Sequence, residues 1–253
     1  MPECGKCGFQ RLQRFGDYDE MLEPWCSACV RQHRSEYGPV LSDWVTKNPF
    51  TVLKDMGVPT AYRSYTFESF EKATEDQRRV YRAAESWTRD GEVGLFLCGP
   101  CGTGKTHLAV AALLALRGMG FNGRFVSMQE LLMECRDSFR GDKGLREVLE
   151  KVCQRSVLLL DDLGAENPTP FARETVGLLI DRVYREEKAL IVTSNYDLEA
   201  LAERLDVRTV DRLIYLCLPV KLTGSSYRQK LAAQRKLAES THFGCGVMKN
   251  PRL

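Results

Sequence analysis

No run of apolar residues in this 253-residue chain approaches the ~20 needed to cross a bilayer as a helix, so no transmembrane helix is expected. The opening stretch MPECGKCGF lacks the apolar core of a signal peptide, and a cytoplasmic location is expected. An excess of one charge sign is also missing. With 36 basic and 34 acidic residues the formal net charge is +2. That balance excludes a global electrostatic case for nucleic-acid binding and leaves only local patches to make one. Internal repeats and low-complexity blocks are absent as well. What is present is 43% apolar and 28% charged residues, the mixture of a soluble globular protein. The length allows one large domain with a real core and a small second one.

Cysteine is the residue in surplus. Ten are many for a reducing compartment, where structural disulfides are rare. Four have a specific explanation. Cys4-x-x-Cys7 and Cys26-x-x-Cys29, 18 residues apart, match the spacing of a tetrahedral zinc site. Gly5 and Gly8 favour a tight knuckle at the first pair. Four thiolates would close the coordination shell, so the Zn2+ would be structural and would supply much of the folding energy of a small module over 1–35. The competing reading is two chance pairs of free thiols. His33 is read as an ordinary surface histidine. Gly38-Pro39, Asn48-Pro49 and Val58-Pro59 break the following stretch, and 36–62 is read as a linker. The main domain is expected over 63–240 and a patternless tail over 241–253.

The main domain alternates apolar runs with helical periodicity. The runs Gly94–Cys98, Arg124–Met128, Ser156–Leu160, Ala189–Thr193 and Ile214–Val220 read as buried strands. Helical patterns cover Glu75–Thr88, Lys105–Leu116, Gln129–Phe139, Leu145–Val152, Phe171–Arg185 and Leu198–Arg204. The expectation is an α/β fold whose mostly parallel sheet is covered on both faces. Ligands of such sheets bind beyond the carboxyl ends of the strands.

Two motifs overlap at the first strand's end, in LFLCGPCGTGKTHLA. Cys98-Gly99-Pro100-Cys101 has the C-x-x-C pattern of a dithiol oxidoreductase. GPCGTGKT fits G-x-x-x-x-G-K-[ST], a phosphate-binding loop (P-loop). A strand, this loop and a helix in succession are the context that favours the second reading. Gly99, Pro100, Cys101, Gly102, Thr103 and Gly104 would form the loop, with its backbone N–H groups turned to phosphate. Lys105 would reach the β- and γ-phosphates of ATP and Thr106 would ligate Mg2+, with His107 next in the helix.

Other strand ends add to the set. SVLLLDD at 156–162 places Asp161 to hold Mg2+ and Asp162 to orient or deprotonate water. Glu166 follows and is a possible assistant. In ALIVTSN, Asn195 arrives at a strand's carboxyl end, while Asp197 is the better cap for the next helix. Arg208 and Arg212, four apart, share one helical face.

GPCGTGKTHLA, LLLDDLGAE, VTSN, RTVDRL and GSSYR at 224–228, with MGVPTAYRSYTFESF at 56–70, together resemble the DnaC/DnaI-like helicase loaders, which are AAA+ ATPases. The likeness covers about three-quarters of the chain. It implies a P-loop AAA+ fold that hydrolyses ATP, with Asp161 and Asp162 as Walker B and Asn195 as sensor 1. It further implies an arginine finger at Arg208 or Arg212, with Arg212 favoured, and a sensor-2-like Arg228. The implied partners are a DnaB-type replicative helicase, single-stranded DNA and further copies of the chain joined through ATP interfaces. A helical hairpin over Gln129–Val152 carries Arg136, Arg140, Lys143 and Arg146 as DNA candidates, although neighbouring acids offset them. The alternatives are an IstB-type transposition helper that binds duplex DNA and a transposase, and a non-hydrolysing adaptor.

Overall fold

The structure is a computed structural model that describes residues 45–90, 93–138 and 144–243. In chain order the elements are α1 (Pro49–Asp55), a 3-10 turn (Thr60–Tyr62), α2 (Glu75–Asp90), β1 (Gly94–Cys98), α3 (Lys105–Gly118) and β2 (Gly123–Ser127). They continue with α4 (Met128–Ser138), α5 (Leu145–Val152), β3 (Val157–Leu163), α6 (Pro170–Arg185) and β4 (Ala189–Ser194). The last are α7 (Leu198–Arg204), α8 (Val207–Leu216), β5 (Cys217–Lys221) and α9 (Tyr227–Phe243).

The five strands form one sheet of order β2-β3-β4-β1-β5, with every pairing parallel. The apolar runs explain why. In β1, Leu95 and Leu97 enter the core on one face of the sheet while Phe96 and Cys98 enter the core on the other. In β3, Val157 and Leu159 divide from Leu158 and Leu160 in the same way. Strands that are apolar on both sides need helices over both, which is the logic of a parallel sheet. α3 supplies much of one cover, with Leu108, Ala109, Val110, Ala112 and Leu113 all inaccessible to solvent.

Three expectations need correction. The 36–62 stretch was expected to be a linker, but its described part is built into the domain. Val52, Leu53, Met56 and Val58 are buried in the α3-side core, and Phe125 N–H donates to the Met56 carbonyl. Asn48-Pro49 starts a helix here, because proline suits a helix's first turn. The run read as a strand from Ile214 is helical until Leu216. Ile214 and Tyr215 are 57% and 70% exposed, so the apolar stretch there is a helix face and not a buried strand. α9 also continues past residue 240, to Phe243.

Candidate functional site

The carboxyl ends of β1, β3 and β4 meet beneath a cavity of about 370 Å3. The loop after β1 forms its floor. Gly99, Gly102 and Gly104 have φ of 137°, 80° and 100°, which side chains disfavour. Gly99 is also pressed against a neighbour: a Cβ there would run into the Leu222 carbonyl. That approach is enforced by Leu222 N–H donating to Cys98 O at 2.7 Å and Gly99 N–H donating to Ser194 O at 3.3 Å. A Gly99→Ala protein is therefore expected to lose about 2–5 kcal/mol from backbone strain and overpacking. Thermal melting should show a fall of roughly 5–15 °C. An unchanged melting temperature would contradict the crowding.

Gly104 also serves as the N-cap of α3, and no side chain caps that helix. The uncapped N-terminus keeps its backbone N–H groups and partial positive charge for an anion. Lys105, the first residue of α3, is buried, and its ammonium donates to Gly99 O, Pro100 O and Asn195 Oδ1, each at 2.8 Å. Burial pulls its pKa below the ordinary lysine value, against the opposing pull of Cys101, Asp162 and Asp161.

Asp161 ends the apolar part of β3 and is only 4% exposed. Its Oδ1 accepts from Thr106 Oγ1 at 3.0 Å and from Thr193 Oγ1 at 2.7 Å. Burial pushes its carboxyl above the usual range; the two hydroxyls and Lys105 work the other way. Asp162 is exposed at the cavity wall and sits at φ 58°, where β3 slips register against β4 between Leu160 and Leu163. Asp tolerates this left-handed conformation better than most residues. The arrangement therefore brings together Lys105, Thr106, Asp161, Asp162 and Asn195, all picked out from sequence. A cationic donor, a hydroxyl, two carboxylates and free helix N–H groups suit a nucleotide polyphosphate and a hard divalent cation.

The other wall comes from the segment before α2 and from the start of α9. Ser64, Tyr65, Ser69, Phe70, Tyr227 and Arg228 line the cavity. His107 fixes that wall to α3. Its ring stacks on Tyr65 with centroids 4.4 Å apart, and Nε2 lies 2.9 Å from Thr66 O and 3.1 Å from Ser69 Oγ. Burial holds His107 below the usual histidine pKa. The wall residues other than Arg228 were missed as site residues from sequence, where the 56–70 stretch signalled only a family likeness. α9 is tied down by Tyr227 N–H donating to Gly102 O and by Lys230 pairing with Glu71 at 2.5 Å.

Several candidates lie elsewhere. Glu166 is buried and does not line the cavity: it accepts from Gly164 N–H, and Arg204 clamps the carbonyls of Gly164 and Glu166. Its role is to brace the turn after β3. Arg208 and Arg212 on α8 are also away from the cavity. Arg208 is exposed, and Arg212 pairs with Asp181 at 3.0 Å. Arg136 lies over the Phe171 ring and Arg146 pairs with Glu150. Arg140 and Lys143, and the zinc candidates Cys4, Cys7, Cys26 and Cys29, lie outside the described residues.

The dithiol reading fares poorly on chemistry. Cys101 is exposed, but Cys98, the first of the pair, is buried and burial pushes its thiol above the ordinary range, whereas the attacking cysteine of a dithiol centre must be accessible and easily ionised.

Comparison with known proteins gives a consistent picture. A family model for IstB-like ATP binding proteins matches residues 54–235. An IS21-like insertion-sequence ATP-binding protein of Bacteroides fragilis is 28% identical over 191 residues, which is 73% of this chain and 71% of that protein. The replicative helicase loader DnaI of Bacillus subtilis is 26% identical over 200 residues, covering 72% of this chain and 64% of that one. Among solved structures, the crystal structure of the DnaC helicase loader superposes with a TM-score of 0.60 at 26% identity, over 65% of this chain and 100% of that chain. DnaI gives 0.59 at 27%, over 66% and 96%. AMPPCP-bound DnaA from Aquifex aeolicus, at 24% identity and a TM-score of 0.54, shares the fold.

Proposed function

This chain belongs to the IstB-like ATP-binding protein family, and from its likeness to DnaC and DnaI we propose that it is an ATP-hydrolysing loader of a DnaB-type replicative helicase onto single-stranded DNA. The observation that carries the ATPase part is the convergence of Lys105, Thr106, Asp162 and Asn195 on one cavity, with the buried Asp161 held directly behind Thr106. The loop N–H groups and Lys105 hold the β- and γ-phosphates. Thr106 and Asp161 would hold Mg2+, which would neutralise phosphate charge. Asp162 orients the attacking water and takes its proton; Asn195 would hydrogen-bond the γ-phosphate or that water. The products are ADP and phosphate.

Copies of the chain associate so that an arginine of α8 reaches a neighbour's γ-phosphate. The pairing of Arg212 with Asp181 supports the exposed Arg208 for that task. The 1–35 module, with Cys4, Cys7, Cys26 and Cys29 on zinc, would grip the helicase. Likeness to DnaC and DnaI over nearly the whole of those solved chains supports the loader over other users of the fold.

A second reading is a transposition helper that binds duplex DNA and a transposase. The Bacteroides fragilis relative favours it. Mass photometry of this protein with the replicative helicase of the same genome, with and without ATP, separates the two. The loader forms a mixed complex. No complex under any nucleotide condition would shift the assignment to the helper, to be tested with duplex DNA and a transposase. A phosphate-release assay distinguishes both from a non-hydrolysing adaptor.

A further inference from the structure

Thr193 is fully buried on β4, two residues before Asn195, yet its hydroxyl is committed in two directions. It donates to Asp161 Oδ1 at 2.7 Å and accepts from the Asp162 backbone N–H at 2.9 Å. One side chain thus holds the carboxylate of the first acid and the backbone of the second. It does so at the point where β3 and β4 slip register and Asp162 turns into the left-handed region. A backbone in that region persists only where its surroundings dictate it. Thr106 Oγ1 reaches the same Asp161 oxygen from α3, so the carboxylate is gripped from two elements. Groups that orient a metal's carboxylate govern its performance nearly as much as the ligands do.

We infer that Thr193 is a positioning residue of the ATPase, whose hydroxyl sets both the Asp161 carboxylate for Mg2+ and the Asp162 side chain for water. This rests on the nucleotide reading above. It adds a link between β4 and the two acids of β3: a displacement of Asn195 by the γ-phosphate would be felt at Thr193, and through it at Asp161 and Asp162.

Thr193→Val keeps the shape and removes only the hydroxyl; Thr193→Ser restores it. Binding of a fluorescent ATP analogue should be titrated with Mg2+ and with chelator, alongside steady-state phosphate release and thermal melting. The wild-type protein is expected to bind more tightly with Mg2+. Thr193→Val should lose most of that gain while keeping its affinity in chelator, and kcat should fall about 10- to 100-fold with KM for ATP changed far less. Thr193→Ser should recover both properties. A folded Thr193→Val protein with wild-type kcat and a wild-type Mg2+ gain would overturn the inference, as would a Ser variant no better than Val. Should Val fail to fold, the Ser variant and Thr193→Ala carry the same comparison. A wild-type protein that binds no ATP would instead overturn the nucleotide reading and this inference with it.

Discussion

Replacing Lys105 with alanine is expected to weaken nucleotide binding by roughly 100-fold or more while leaving a folded protein. The ammonium makes three hydrogen bonds at 2.8 Å, to Gly99 O, Pro100 O and Asn195 Oδ1, so it sits at the centre of the cavity floor. Hydrogen bonds between a charged donor and phosphate contribute about 1.5–3 kcal/mol each. Two of them lost would weaken ATP by roughly 100-fold or more. Calorimetric titration of ATP measures this directly, and wild-type affinity in the variant would defeat the assignment. Arginine is not expected to rescue it, because a planar guanidinium does not fit where a compact ammonium is enclosed by three close acceptors.

Asp162→Asn should produce the opposite separation: ATP still binds, but turnover collapses. Asn tolerates the left-handed backbone as well as Asp does, and the N–H to Thr193 Oγ1 is retained, so the loop should survive. Only the proton acceptor is removed. Loss of a general base typically costs 10²–10⁴-fold, and a phosphate-release assay should read a fall of about that size. Nucleotide affinity within a few-fold of wild type would confirm that binding and chemistry have been parted. Turnover unaffected by the change would assign the water-activating role to another group.

Much of this site is legible in the sequence. The loop's glycines and Lys105, Thr106, Asp161 and Asn195 announce themselves because polar residues stand at the ends of apolar runs. Asp197 is the helix cap that its place before Leu198 predicts, and its carboxylate accepts from Ala200 N–H. What stayed hidden was hidden for physical reasons. Thr193 looks like one more β-branched strand residue, since nothing in a sequence reveals that its hydroxyl faces two acids on a neighbouring strand. The cavity wall at Ser64, Tyr65 and Phe70 depends on packing across His107, which no periodicity encodes. Ile214 and Tyr215 misled because an exposed apolar helix face and a buried strand share the same composition over a few residues. Glu166 misled for the opposite reason: an acid near the right strand was spent on its own turn.

The strand order has a consequence for how the protein is made. β1 bears the phosphate loop, yet its two neighbours are β4 and β5, about a hundred and about a hundred and twenty residues further along the chain. The loop is sewn down by Ser194 and Leu222, which belong to those late segments. During synthesis β1 therefore waits, apolar on both faces, until almost all of the domain has left the ribosome. Such long-range parallel pairing folds slowly and leaves sticky strands exposed in the interval. Nucleotide binding is therefore expected to be among the last properties the nascent chain acquires. Chains arrested before β5 should be captured by chaperones and show no affinity for ATP, however complete their phosphate-binding motif.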